Sequence, residues 1–483
     1  MPQNLLTQGL FLNDYAREPL KKSLSARCRV VKKAIHFLLL VALSSLHPSF
    51  LYSAEYGLGE LLRTALVKAE RIQIVEKNRE IAEEGKNKRR AGLLPRLTSY
   101  GAVTWFSEMK KTPDTTILPG LVLPGTIYQP DYMGQWGIRV DQSLNLYGKE
   151  IRDYAISRDN LERQEADIRG QKEEYLTSVA MAYYDALRAT KNLEIAEAAV
   201  KRLKLHRDSA EKRLKIGEVT RTVLLRAEGE LSGALSDRVK AINALEIAKT
   251  YLANLAGVEG DLRLREEMGE ENSIPGMEEC IRRALENRPE VIAARWELKM
   301  AREQVQSARS NHWPSVVLSG VYGRYDQCPG QATTNRESIY GQLSLNFPLF
   351  EGGLRSAEVR EAIIKEKQAL LRYEEVKKAV KVEVEAAYWD FISSREVIKA
   401  LQDQLKFARD NFQAVSRQFD YGLANSIDVM DAHTLLVSAE RQLASAVYAK
   451  QASLMRLKRA MGAFLTDVMG INRESKKGGD TRG

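Results

Sequence analysis

Two carboxylates, Asp428 and Asp431, stand three residues apart just beyond a glycine-marked turn, Tyr421-Gly422-Leu423-Ala424-Asn425-Ser426-Ile427. That spacing puts both on one helix face, where paired negative charge could attract cations. A plainer use competes with this one. Ser426 can cap the helix, whose first turn favours carboxylates in any case. Elsewhere the spacings that make catalytic or metal sites are missing: the five histidines are scattered, and there is no HExxH, GxxxxGK, GxSxG or CxxC. The sequence therefore gives no catalytic residue, no metal site and no cofactor, and does not read as an enzyme. The aromatic pairs Tyr183-Tyr184 and Tyr388-Trp389 are expected to pack between helices.

What positions the acidic pair is a long, helix-rich chain. It has 483 residues, 28% of them charged and few of them Gly or Pro, the composition of extended helices. The formal charge of +9 could suggest nucleic-acid binding, but seven Lys/Arg against Asp14 and Glu18 in residues 1–54 contribute a net +5, leaving +4 for the remainder. The basic excess belongs largely to a targeting segment. Arg29, Lys32 and Lys33 precede the apolar run Ala34 to Leu46, and Leu51-Tyr52-Ser53-Ala54 offers a cleavage site. That run is shorter than the ~20 residues a spanning helix needs, so it reads as a secretory signal. An exported protein is not a nucleic-acid binder. No later apolar run spans a bilayer as a helix, so membrane entry would have to be through β-strands.

The remainder is written twice. A shift of 219 residues lays Ala65-Leu66 on Ala284-Leu285, Pro95 on Pro314 and Gly101 on Gly320; a shift of 205 lays Ala182-Tyr183 on Ala387-Tyr388, Gly217 on Gly422 and Gly257 on Gly462. The two copies run from 55 to 258 and from 274 to 463, joined by the acidic linker 259–273, with a polar tail at 464–483. Each copy predicts a helix (57–92 or 276–312) ended by proline, two strands, a very long helix (149–215 or 353–420), and a last helix (219–256 or 424–461). In the second long helix Val380, Val384, Ala387, Phe391, Ile398, Leu401, Leu405, Ala408, Phe412, Val415 and Phe419 recur every 3.5 residues on average, apart from one break. That is a left-handed coiled seam. At 1.5 Å per residue, 67 residues span ~100 Å, so one rod can lie beside two shorter helices stacked end to end.

The strands alternate. Arg139, Asp141, Ser143 and Asn145 fall opposite Trp136, Ile138, Val140, Leu144 and Leu146; in the second copy Tyr340, Gln342, Ser344 and Asn346 oppose Ile339, Leu343, Leu345 and Phe347. One apolar and one polar face fit a membrane barrel with the polar residues in the lumen, and equally fit a half-exposed soluble sheet. Four strands leave edges that lipid does not tolerate. Two chains give eight strands and a filled interior, whereas three give twelve and a usable lumen.

The doubled order of elements, the Leu62-x-x-Ala65-Leu66 opening, Pro95 and Pro314 before the strands, and Pro348-Leu349-Phe350-Glu351-Gly352-Gly353 after the fourth strand resemble the TolC-like outer-membrane efflux protein family. The resemblance covers nearly all of the chain after residue 54. It implies a mainly α fold with a β-barrel part: a homotrimer joining a twelve-stranded outer-membrane barrel to a long helical tunnel in the periplasm. It also implies docking to a periplasmic adaptor (membrane fusion) protein and an inner-membrane pump or ABC exporter, in efflux or type I secretion. By the same resemblance Asp428 and Asp431 become two acidic rings at a periplasmic gate, and Gly217, Val219, Thr220, Gly422, Leu423 and Ala424 become adaptor-contacting tips. The first-copy turn departs from the pattern, because Val223 stands where the matching Asp would be. Apolar packing around Phe419 could then replace a salt bridge in closing the tip. The competing possibility is a soluble periplasmic coiled-coil scaffold without a pore. It explains the heptads but not the signal or the hairpins.

Overall fold

The computed structural model describes residues 55–260, 262–267, 274–330 and 335–469; the expected signal, linker residues 261 and 268–273, and the tail from 470 onward lie outside them. In chain order come β1 (Glu55–Tyr56), α1 (Leu58–Lys68), α2 (Glu70–Ala91), β2 (Arg96–Trp105), β3 (Lys110–Lys111), β4 (Thr115–Leu118), β5 (Leu121–Leu123), β6 (Ile127–Gln129), β7 (Tyr132–Asn145), α3 (Lys149–Lys215) and α4 (Arg221–Ala256). The second copy supplies β8 (Arg263–Leu264), α5 (Met277–Asn287), α6 (Pro289–Ser310), β9 (Ser315–Cys328), β10 (Glu337–Asn346), α7 (Leu354–Asp420), α8 (Ser426–Ala460) and α9 (Phe464–Met469).

Both long helices have 67 residues. α3 lies between two stacks, α2 and α4 along one side and α6 and α8 along the other, and α7 flanks the second stack. The heptad seam explains this packing. Every position from Val380 to Phe419 named above is buried or half-buried in α7, while α3, with neighbours on both sides, buries more of its surface than α7 does. The main core sits at mid-height, where Leu61, Leu62, Tyr183, Tyr184, Leu252, Phe391, Leu454 and Phe464 meet.

The first helix of each copy is not continuous as expected. It breaks at Ala69 (ψ 124°) and at Arg288 (ψ 132°). Pro289 accounts for the second break, since proline drives the preceding residue out of the helical region and then starts α6 itself. Ala69 has no comparable local cause. The break lets Leu61, Leu62 and Ala65 turn into the core. Trp389 also departs from expectation: Tyr183 and Tyr184 are buried, but Trp389 is 59% exposed on the free face of α7.

The four main strands form one antiparallel sheet in the order β10-β9-β7-β2. β7 and β9, one from each copy, pair along their whole length from Tyr132↔Cys328 to Asn145↔Ser315. The longer first-copy loop folds into two short ladders, β3 with β6 and β4 with β5, which the sequence did not announce.

The candidate channel lining and tip

Register settles which strand residues share a face. Arg139 pairs with Val321 and Val321 with Tyr340; Asp141 with Ser319 and Ser319 with Gln342; Ser143 with Val317 and Val317 with Ser344; Asn145 with Ser315 and Ser315 with Asn346. Paired residues in adjacent strands point the same way, so all eight residues expected in a lumen fall on one face. Ser319 Oγ donates to Asp141 Oδ1 at 2.7 Å across that face, and the Arg139 guanidinium lies 5.9 Å from the Tyr100 ring. Asn145 does more than line a surface. Its amide donates to the Ser310 carbonyl at 3.0 Å and its Oδ1 accepts from Tyr147 N–H at 2.9 Å, tying the sheet to the end of α6.

The opposite face is apolar and open: Leu97, Val103, Ile138, Val140, Leu144, Leu318, Ile339, Leu343 and Leu345 are all exposed. Aromatic pairs mark both ends of this band, with Trp105–Tyr132 and Trp136–Tyr322 rings near 6.0 and 5.9 Å at one end and Tyr147 stacked on Trp313 at 5.5 Å at the other. From Trp136 to Leu146 a strand tilted about 40° rises roughly 25 Å, the height of a lipid-facing band between aromatic girdles.

At the far end of the rods, both long helices stop in the same way. Gly217 (φ 79°) and Gly422 (φ 74°) take the left-handed region that favours glycine. Glu218 N–H then bonds the Arg213 carbonyl at 2.9 Å, and Leu423 N–H bonds the Gln418 carbonyl at 2.7 Å. Each is a Schellman stop, in which the N–H two beyond the cap reaches back five positions. The turns project apolar side chains into solvent: Ile216, Tyr421 and Leu423 are each at least 70% exposed. Of the expected tip contacts, Gly217, Thr220, Gly422 and Leu423 are exposed, and Val219 and Ala424 half-buried.

The acidic pair is exposed, and the core side of α8 is formed by Val429, Met430, Ala432, His433 and Leu436. The cap is one residue earlier than expected. Asn425, not Ser426, accepts from Ile427 N–H at 2.7 Å and Asp428 N–H at 3.0 Å, and Asp428 returns the bond to Asn425 N–H at 3.1 Å. This reciprocal capping box already occupies one Asp428 oxygen. Asp431 lies outside the box. Ser426 is buried instead, where its hydroxyl meets His206 Nε2 at 3.2 Å.

One element of the tip was invisible in the sequence. Arg213, near the end of α3, donates to the Phe419 carbonyl at 2.8 Å, sits 4.8 Å over the Phe419 ring, and pairs with Glu218 at 2.9 Å. It joins the two turns across 206 positions of chain, which no local pattern could signal. Above it, Leu203, Phe419, Val429 and Met430 form a small separate core, beside a cavity of about 260 Å³ between α3, α7 and α8. Burial holds His206 below the usual histidine range against the pull of Asp420, and burial with the nearby Arg202 holds His433 down at about 4. Phe419 thus packs both with the apolar side chains of this small core and under the Arg213 guanidinium.

Comparison with known proteins agrees with this architecture. The chain matches the outer membrane efflux protein family twice, over residues 61–258 and 280–463. It is 24% identical to outer membrane protein TolC of Vibrio cholerae over 425 residues, covering 86% of this chain and 93% of the relative. It is 23% identical to the alkaline protease secretion protein AprF of Pseudomonas aeruginosa over 414 residues, covering 81% of each. A crystal structure of CusC superposes with a TM-score of 0.74 at 20% identity, covering 84% of this chain and 92% of that one. The chain belongs to the outer membrane efflux protein family and is a channel-forming subunit of the outer membrane.

Proposed function

We propose that three copies of this chain close into one continuous conduit, a twelve-stranded barrel in the lipid and a helical tunnel below it. The observation that carries this is the sheet itself. It ends in two edges, β2 and β10, that pair with no other described strand, while one face is apolar and the other polar. Lipid does not tolerate unpaired strand edges, so β2 of one copy pairs with β10 of the next, and three copies are the smallest set that leaves a lumen. The helical strip has the same need. Leu235, Val239, Ile242, Ile247 and Tyr251 on α4 and Leu371, Val382, Trp389, Val397 and Phe407 on α7 are exposed on the helices that border it, and abutting strips would cover both sets.

In that assembly Arg139, Asp141, Ser143, Tyr340, Gln342 and Ser344 line the barrel, and Asp428 with Asp431 ring the narrow periplasmic end. The Arg213–Phe419 contact keeps that end shut. The exposed Ile216, Tyr421 and Leu423 side chains, with the turns that carry them, dock a periplasmic adaptor, behind which stands an inner-membrane pump or ABC exporter. Cargo class is set by that pump, since relatives of this channel are named both for efflux and for protease secretion. Reconstitution into planar bilayers tests the channel: discrete conductance steps that multivalent cations block from the periplasmic side are expected, and a protein that washes from membranes with salt and gives no steps would overturn it.

A further inference from the structure

The small core at the tip contains a feature that a purely apolar joint would not need. Two histidines face each other across it. His206 of α3 packs its ring against Phe419 at 4.9 Å and shares a hydrogen bond with Ser426 at the start of α8. His433 of α8 packs edge-on against Phe412 of α7 at 5.7 Å, is only 7% exposed, and has no hydrogen-bond partner on Nε2. Ser416 Oγ of α7, on the same cavity, is also unpartnered. Apolar packing alone would be served by Leu or Phe at both positions, whereas a buried imidazole leaves a polar atom unsatisfied at a cost in stability.

We propose that His206 and His433 form an acid-sensitive joint, in which protonation separates α3 from the α7–α8 hairpin and thereby releases the Arg213–Phe419 contact below it. This rests on the reading of the tip as a gate. The charges around the pair decide the direction. From α3, Arg202 faces His433 and is already paired with Glu440 of α8 at 3.0 Å; from α7, Asp420 faces His206. Arg213, also of α3, stacks on the same Phe419 ring that His206 packs against. Arg213 is itself paired with Glu218 at 2.9 Å, so the one spare carboxylate, Asp420, faces two imidazoles. It offsets the charge of one added proton and leaves a second, on His433 beside Arg202, uncompensated. His433 Nε2 is closed off from solvent in the packed joint, so a protonated ring gains hydration by swinging open toward the adjoining cavity of about 260 Å³ between the three helices. Protonated His206 loses any hydrogen bond in which Nε2 accepts the Ser426 hydroxyl proton.

The sign follows from linkage. A histidine held neutral by the packed joint stabilises it fully above the ordinary range, and that stability falls away as pH drops toward the packed-state value. For His433 alone, about 6.5 when the joint is loose and about 4 when packed, the ratio of loose to packed joints rises about 30-fold between pH 7.5 and 5.

The test uses the full chain with Cys328→Ser, spin labels on cysteines placed at the exposed Lys204 of α3 and Thr434 of α8, and the distance between them at pH 7.5 and pH 5. A distance that widens at pH 5 in the parent, and stays short in His206→Asn and His433→Phe, is the expected result. An unchanged distance in the parent, or the same widening in both variants, overturns the proposal. Planar-bilayer conductance on the same preparations separates the two levels. Widening without any conductance would sink the gate while leaving the joint, and conductance that rises toward pH 5 equally in parent and variants would sink the joint while leaving the gate.

Discussion

The guanidinium of Arg213 at the end of one 67-residue helix donates at 2.8 Å to the carbonyl of Phe419 at the end of the other, and covers its ring at 4.8 Å. One side chain thereby adds a second, charged donor to a helix-end carbonyl that already accepts from Gly422 N–H at 3.0 Å, and pins the two turns together. A charged hydrogen bond with a partly desolvated cation–π contact contributes about 2 kcal/mol. Arg213→Ala should therefore raise the open fraction about 30-fold, seen as larger and more frequent bilayer openings. Arg213→Lys should only partly restore closure, because an ammonium lacks the planar fork. Equal conductance in parent and Arg213→Ala would remove the clamp.

The two aspartates should separate on mutation. Asp428 completes the capping box with Asn425, so Asp428→Ala should lower the stability of α8 by about 1 kcal/mol and weaken cation block only partly. Asp431 has no such duty, so Asp431→Asn should weaken block by multivalent cations without changing the melting temperature. The double Ala variant should show the greatest conductance and least block. If block is unchanged in all three, capping is the only role left.

Barrel orientation is testable by charge. Leu343 lies on the apolar face and Gln342 on the polar one. Leu343→Arg should destabilise the folded barrel by about 2–4 kcal/mol, while Gln342→Arg should be tolerated and alter ion selectivity. Folding yield into lipid vesicles compares the two, and the reverse order would invert the faces.

A buried carboxyl at mid-height gives a pH prediction. Burial raises Glu173 of α3 from 4.5 to about 7, against the opposing pull of Arg169. The fold then holds a proton that the unfolded chain has already released. Stability from this group is present below pH 4.5 and is lost as pH rises toward 7, by about 3 kcal/mol in all. Glu173→Gln should flatten that part of the profile of helix melting against pH, and an unaltered slope would assign the dependence elsewhere.

The long rods were legible because their cause is local and repeated: heptad spacing without proline specifies a helix whatever lies beside it. The sheet faces were legible for the same reason, since period-two alternation in β7 and β10 carries through the register. Arg288 could have been placed by Pro289, but Ala69 could not, because its break serves Leu61 and Leu62 in a core assembled from distant helices. Asn425 with Asp428 three residues on has the spacing of a capping box, but the adjacent Ser426 offers the same chemistry one residue later. Only the fold, which buries Ser426 against His206, decides between them. Arg213 with Phe419, and His206 with Ser426, are contacts across more than two hundred residues. They follow from the doubled hairpin bringing its turns together, which spacing along one chain does not encode.

The number of chains per particle bears on the central claim most directly. Mass measured on the detergent-solubilised protein, corrected for bound detergent, should correspond to three chains of 54.5 kDa before processing. A particle of one or two chains that still conducts would contradict the pairing of β2 with the next copy's β10.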